Sequence, residues 1–319
     1  MLPSLAELEA ASRIVYRRML PTPAIAWPLI AERTGCEVWV KHENHTPIGA
    51  FKLRGGLVYF DDLARREPDC PGVITATRGN HGQSVAFAAR AHGIPATVVV
   101  PHGNSAEKNR AMRAFGAEIV EHGHDFTAAY AFTRAQAVER GLHLIPSFHP
   151  LLLRGVGTYA LELFRAVAEL DTVYVPVGLG SGICGVIAAR DALCLATRVV
   201  GVVAEKAAAY ALSFAAGKPV ATESAETLAD GVAVREPDGR ALEVILAGAE
   251  RMVTVGEDEI LAAMAHYFAD THNIAEGAGA APLAALMKER EAMRGRKVGL
   301  ILSGGNLDRA LYVRALAAG

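Results

Sequence analysis

Val173-Tyr174-Val175-Pro176-Val177-Gly178-Leu179-Gly180-Ser181-Gly182-Ile183-Cys184-Gly185 is the stretch on which the fold of this chain turns. A β-branched run meets a glycine-rich turn, and a helical pattern follows from Val186. That junction predicts a strand–turn–helix unit, in which converging backbone amides and the helix N-terminus make a seat for a phosphate. The same residues also satisfy a dinucleotide fingerprint, Gly180-x-Gly182-x-x-Gly185, and Glu205 ends the next apolar run (Val199–Val203) roughly 20 residues on, where a ribose-binding acid belongs. Taken alone, the segment leaves two readings open: a phosphate nest, or a nicotinamide-dependent dehydrogenase.

Outward from this unit the pattern repeats. Ile74–Ala76, Ala96–Val100, Glu118–Glu121, Val199–Val203 and Val298–Leu302 read as short strands, and Glu107–Phe115 and Phe126–Arg140 have helical spacing. Runs apolar on both faces and separated by helices predict an α/β protein with parallel sheets covered on each side. The 319 residues carry a formal net charge of -2, without a basic run, which argues against nucleic acid or an anionic membrane as partner. Met1 through Val15 reads as an amphipathic helix, not a signal peptide. Cys36, Cys70, Cys184 and Cys194 form no CxxC pair and no zinc spacing, as in a cytoplasmic protein with reduced thiols. His122-Gly123-His124 reads as an exposed loop.

Three further junctions carry chemistry. Lys52, in Ala50-Phe51-Lys52-Leu53-Arg54-Gly55-Gly56, sits where the extended Glu37–Lys41 region gives way to a helical pattern. Partial burial there disfavours the ammonium form and makes the amine a nucleophile or Schiff-base partner; the plain alternative is a solvated lysine on an amphipathic helix. Thr75-Ala76-Thr77-Arg78-Gly79-Asn80-His81-Gly82-Gln83 is a loop entering a helix, whose free amides suit a carboxylate. Asn80 is placed to donate to a phenolate oxygen or, equally, to cap the helix. Gly299 through Asn306 is a strand ending in Ser303-Gly304-Gly305, where Ser303 can meet a ring nitrogen or simply make a turn.

With these segments in order, the chain resembles the fold-type II pyridoxal-phosphate enzymes, and among them the threonine/serine dehydratase and serine racemase family. Ala50–Gly55 matches the family's Ser-Phe-Lys-x-Arg-Gly with Ala for Ser, Thr77–His81 its Ser-x-Gly-Asn-His loop, Gly178–Gly182 its phosphate loop, and Ser303–Asn306 its Ser-Gly-Gly-Asn. Ala275-Glu276-Gly277-Ala278-Gly279-Ala280 resembles its glutamate loop, and Leu228–Val234 a further family stretch. The resemblance implies a tryptophan synthase β-like fold, with two open, twisted parallel sheets and helices on both faces. It implies a large cofactor-binding domain (1–46 and 147–319) and a smaller inserted domain (47–146) that closes the cleft.

By the same resemblance, Lys52 holds pyridoxal 5′-phosphate, beside Phe51. Gly178, Leu179, Gly180, Ser181 and Gly182 seat its phosphate, Asn80 its 3′ oxygen, Ser303 its ring nitrogen, and Glu276 lies near the ring. Thr77, Arg78, Gly79 and His81 take the substrate carboxylate. The implied reaction is β-elimination from an L-3-hydroxy amino acid, threonine or serine, giving a 2-oxo acid and ammonia, in a cytoplasmic homodimer. Alternatives within the class are a bulkier substrate (phenylserine, hydroxyaspartate or an ectoine-derived hydroxy amino acid), a β-replacement enzyme, and a non-catalytic relative.

Four departures narrow this. Arg78 stands where a family racemase has its second proton-exchanging serine, so racemisation is expected to be poor. Val203 and Ala209 stand where a metal-binding member has acidic ligands, so no metal site is expected. Val156 replaces a usual Gln. The chain ends at Gly319 after its last helix, as in a catabolic enzyme without a regulatory domain.

Overall fold

The computed structural model describes residues 2–318, arranged around two sheets. The strands are β1 (Ala24–Ala26), β2 (Glu37–His42), β3 (Val73–Ala76), β4 (Ala96–Val100), β5 (Glu118–Glu121), β6 (His143–Leu144), β7 (Thr172–Pro176), β8 (Arg198–Ala204), β9 (Arg251–Val255) and β10 (Lys297–Leu302). Six form one sheet in the order β1-β2-β10-β7-β8-β9, and four form the other in the order β5-β4-β3-β6. Among the named strands of the described residues, β1 runs antiparallel to β2 and the other pairings are parallel. The apolar strands serve both faces of the large sheet. Val173, Val175 and Val199 enter one core while Tyr174, Val200 and Val202 enter the other. Alternate residues of a strand point to opposite faces, so a strand buried on both sides has no polar position to spare.

Two of the expected strands, Ala96–Val100 and Glu118–Glu121, occupy the residues read from the sequence, and the others differ by a residue or so at their ends. The N-terminal helix runs Leu5–Val15, capped reciprocally by Ser4 and Glu7; Met1 lies outside the described residues. One boundary differs usefully. The helix after the glycine turn begins at Ser181, five residues ahead of Val186. Gly182 and Gly185 are poor helix formers, which hides the start. Packing overrides this: a Cβ on Gly185 would stand 3.0 Å from the backbone nitrogen of Gly157, so the Ser181–Ala192 helix touches the Pro150–Ala166 helix main chain to main chain. Val156 is buried at that crossing, in the core beside Gly185. Among the described residues, no helix is long and apolar enough to cross a membrane.

Candidate active site

The glycine turn after β7 carries the first half of the site. Gly180 caps the Ser181–Ala192 helix with a left-handed φ of 96°, a conformation open to glycine at little cost. Its neighbour Gly178 lies so close to the segment at Gly231 that a Cβ would come 2.3 Å from that residue's carbonyl oxygen. The backbone N–H groups of Gly178 through Ile183 have no partner among the described residues. Unpaired amides in a run, at the positive end of a helix, are the physical definition of an anion seat. Tyr210 fixes the loop from behind: its hydroxyl donates to the Leu179 carbonyl (3.1 Å) and accepts from the Asp238 amide (3.0 Å).

Lys52 begins the helix Lys52–Arg66, and its Nζ donates to Ser181 Oγ at 3.1 Å, placing the amine at the mouth of the nest. The residue is half-buried, with the ammonium 5.0 Å from the Phe51 ring centroid. No carboxylate offsets the loss of water, and burial alone lowers the amine to about 8. Phe51 N–H donates to the Ser303 carbonyl (3.0 Å) and Ala50 bridges Gly304, so the lysine is tied to the end of β10. Ser303 is buried there, and its hydroxyl makes no hydrogen bond among the described residues.

The loop after β3 faces this assembly from the other sheet. Thr77 is buried, and its hydroxyl accepts from the amides of Gly79 (2.9 Å) and Gly82 (3.3 Å). The amides of Arg78, Asn80 and His81 have no partner among the described residues. Asn80 Nδ2 donates to Glu276 Oε1 (2.8 Å), while Asn80 Oδ1 accepts from Asn306 Nδ2 (2.9 Å). Glu276 is buried with its second oxygen unpartnered, and burial pushes it up to about 7 against the pull of Lys108. His81 is buried, its Nε2 likewise unpartnered, and burial with the nearby Lys52 charge lowers it to about 3, so the imidazole is neutral. Arg78 is exposed and makes no ion pair among the described residues.

Hydrogen bonds therefore draw Lys52, Asn80, Glu276, Ser303 and the Gly178–Gly182 loop together where segments from the two sheets meet. Two buried charged groups beside these residues were not legible in the sequence motifs. Lys108 is buried and bonded to Asp230; burial opposes its charge, but Asp230 and then Glu276 more than offset this and hold it above the ordinary lysine value. Asp230 lies in the Leu228–Val234 stretch, which the motif order marks without giving it a role. The second group begins with Arg54, two residues past Lys52 and fully buried. It donates to both oxygens of Glu43 (2.7 and 3.0 Å) and both of Glu162 (2.6 and 2.9 Å). Lys41 joins through Glu162 (2.5 Å).

The dinucleotide reading finds little support in this geometry. Gly185 serves a helix crossing, and Glu205 is exposed beside Gly256. The amide nest fits a phosphate monoester, while the amine at its mouth, bonded to a hydroxyl and to no carboxylate among the described residues, and the orphan Glu276 oxygen fit an aldehyde-bearing ring beyond it. A lysine set against a run of free amides, in a chain built on one six-stranded and one four-stranded sheet, fits a fold-type II pyridoxal-phosphate enzyme. The comparisons with known proteins agree: residues 15–304 match the family model described as pyridoxal-phosphate dependent enzyme, and the chain belongs to that family, in its threonine dehydratase and serine racemase branch. Its cofactor is pyridoxal phosphate.

The chain is 37% identical to the L-threonine ammonia-lyase of Geobacter sulfurreducens, over 97% of this chain and 76% of that protein. It is 30% identical to the L-threo-3-hydroxyaspartate ammonia-lyase of Saccharomyces cerevisiae, over 99% and 97% respectively. The processed form of threonine deaminase isoform 2 from Solanum lycopersicum superposes with a TM-score of 0.91 at 30% identity, over 99% of this chain and 94% of that one.

Proposed function

We propose that this protein is an ammonia-lyase that eliminates water from an L-3-hydroxy amino acid of the threonine/serine type, releasing a 2-oxo acid and ammonia. The observation that carries the reading is Lys52: a half-buried amine without an acidic partner, 3.1 Å from the first residue of a helix whose preceding amides are all free. Lys52 would hold the cofactor, the amides from Gly178 to Gly182 its phosphate, Asn80 its 3′ oxygen and Ser303 its ring nitrogen, with Phe51 and Glu276 beside it. Bound there, pyridoxal phosphate supplies the electron sink that makes a Cα proton acidic and a β-hydroxyl a leaving group. The free amides of Arg78, Asn80 and His81, with Thr77 and Gly79 shaping the loop, receive the substrate carboxylate. Lys52 Nζ takes the Cα proton, favoured by an amine that is substantially neutral near pH 8. Residues 47–146, which contain the four-stranded sheet, act as the smaller domain that closes on the substrate. The homodimer and the cytoplasmic location of the resemblance belong to the same proposal.

A second substrate is favoured by one observation. Arg78 is exposed at the loop without an ion-pair partner among the described residues, and a substrate with a side-chain carboxylate, such as 3-hydroxyaspartate, would supply one. Arg78 also bears on stereochemistry. A guanidinium, with a pKa above about 12, is a poor proton donor, so only the Lys52 face of the substrate is served. A panel of 3-hydroxy amino acids assayed for ammonia and 2-oxo acid tests both substrates. Turnover of threonine or serine without D-serine is expected. Absence of turnover on every member, or D-serine accumulating at levels comparable to pyruvate, overturns the reading.

A further inference from the structure

Lys108 crosses the cleft. It lies in the first turn of the Ala106–Ala114 helix, whose N-cap Ser105 accepts from the Lys108 amide (3.1 Å). Its stem runs directly under the β3 loop: a Cβ on Gly79 would stand 2.5 Å from Lys108 Cδ. Its ammonium donates to Asp230 Oδ2, next to Gly231, the residue on which Gly178 of the phosphate loop rests. One buried side chain thus touches the loop from the four-stranded sheet and anchors in a segment packed on the six-stranded one. Two neighbours make the same crossing. Ser105 Oγ donates to Asp308 Oδ1 (2.5 Å), and Glu107 Oε1 accepts from the Arg309 amide (3.1 Å).

We propose that Lys108 is a positioning residue, a strut that fixes the Thr77–His81 loop against Asp230 and so sets where the free amides of Arg78, Asn80 and His81 present themselves to the substrate carboxylate. This rests on the assignment of that loop as the carboxylate seat. A lysine only 6% exposed loses most of its hydration, and the Asp230 carboxylate is what compensates it. The pair is complete only with the two sheets in this relation. Glycine at 79 leaves room for the stem, so loop and strut fit as one unit.

The test uses the cofactor-loaded enzyme and four variants: Lys108→Met, which keeps the stem and removes the ammonium, Lys108→Arg, Asp230→Asn, and the Lys108→Met/Asp230→Asn double. KM of Lys108→Met is expected to rise about ten- to hundredfold, the range spanned by a charge-assisted hydrogen bond. Its kcat should stay within about threefold, with the visible cofactor band and the thermal midpoint nearly unchanged. Lys108→Arg should recover most of the loss, and the double variant should be no worse than the worse single, as coupled residues behave. Loss of cofactor together with KM, unrelieved by Lys108→Arg, would show a residue that merely supports the fold and overturns the proposal. Thr77→Val separates the two layers of argument. If it raises KM while Lys108→Met does not, the strut falls and the loop assignment stands; if neither raises KM, the carboxylate seat itself is misplaced and the strut falls with it.

Discussion

Lys52 and Arg54 are two residues apart on one helix, and their surroundings are opposites. Arg54 is buried with every donor used, held by Glu43 and Glu162, with Thr158 and Thr22 completing the set at 3.0 and 3.1 Å. Burial works against its charge, but the two carboxylates raise it above even the ordinary arginine value. Lys52 faces free amides, a hydroxyl and an aromatic ring, and nothing restores the hydration it has lost. One cation is locked charged and rigidifies the junction of β2, the Lys52 helix and the Pro150–Ala166 helix. The other is left able to give up its proton. The lesson is that reactivity here comes from a withheld partner, and rigidity from a supplied one.

The largest expected effect falls on the unpaired member. Lys52→Ala should lower turnover by more than about a thousandfold and should leave borohydride with no lysine at position 52 to fix the cofactor to. A variant retaining a tenth of the activity would move the chemistry to another residue. Next comes the paired member. Arg54→Met should destabilise the protein by about 3–5 kcal/mol in denaturant titrations, because it strands two buried carboxylates. The acid limb sharpens this. Burial opposes the Glu162 charge, but Arg54 and Lys41 win and lower its pKa below the ordinary glutamate value of 4.5. Its share of stability is thus full above the ordinary glutamate value and lost as pH falls through the folded one. Arg54→Met should therefore lose less stability than the parent on acidification, and an unchanged acid limb would dissolve the contrast.

A smaller effect concerns rate. Uptake of pyridoxal phosphate by the apoprotein requires the neutral amine, so its rate should rise about tenfold per pH unit and level off near about 8. A rise continuing to the ordinary lysine value of 10.5 would mean that Lys52 is solvated after all. The smallest expected effect is none. Val203 and Ala209 are buried and apolar, so chelators should leave activity intact, whereas recovery with magnesium would reveal hard-cation ligands elsewhere.

The contrast also explains what was legible in the sequence. Lys52, Asn80, Ser303 and the Gly178–Gly182 loop announce themselves because each sits at a strand-to-helix junction, where local residue type reports local geometry. Glu43, Glu162 and Arg54 do not. They are joined across 11 and 108 residues of chain, and nothing in the run around Glu162 distinguishes a buried acid from one on a wet helix face. Lys108 escaped notice for the same reason, reaching Asp230 across 122 residues. The early start of the Ser181–Ala192 helix was hidden differently: glycines chosen for close approach read as loop.

The proposed phosphate seat has a consequence for how this protein tolerates change. Its donors are main-chain groups, which every residue type except proline supplies, so the recognition chemistry survives almost any replacement of a side chain. What does not survive is the space. A methyl group at Gly178 meets the Gly231 carbonyl at 2.3 Å, and one at Gly180 meets the Ala241 side chain at 2.5 Å. In a saturation scan of this loop, losses should follow the volume of the incoming residue and ignore its charge, and an alanine at Gly178 should be rescued more readily by a shift at Gly231 than by any added cation.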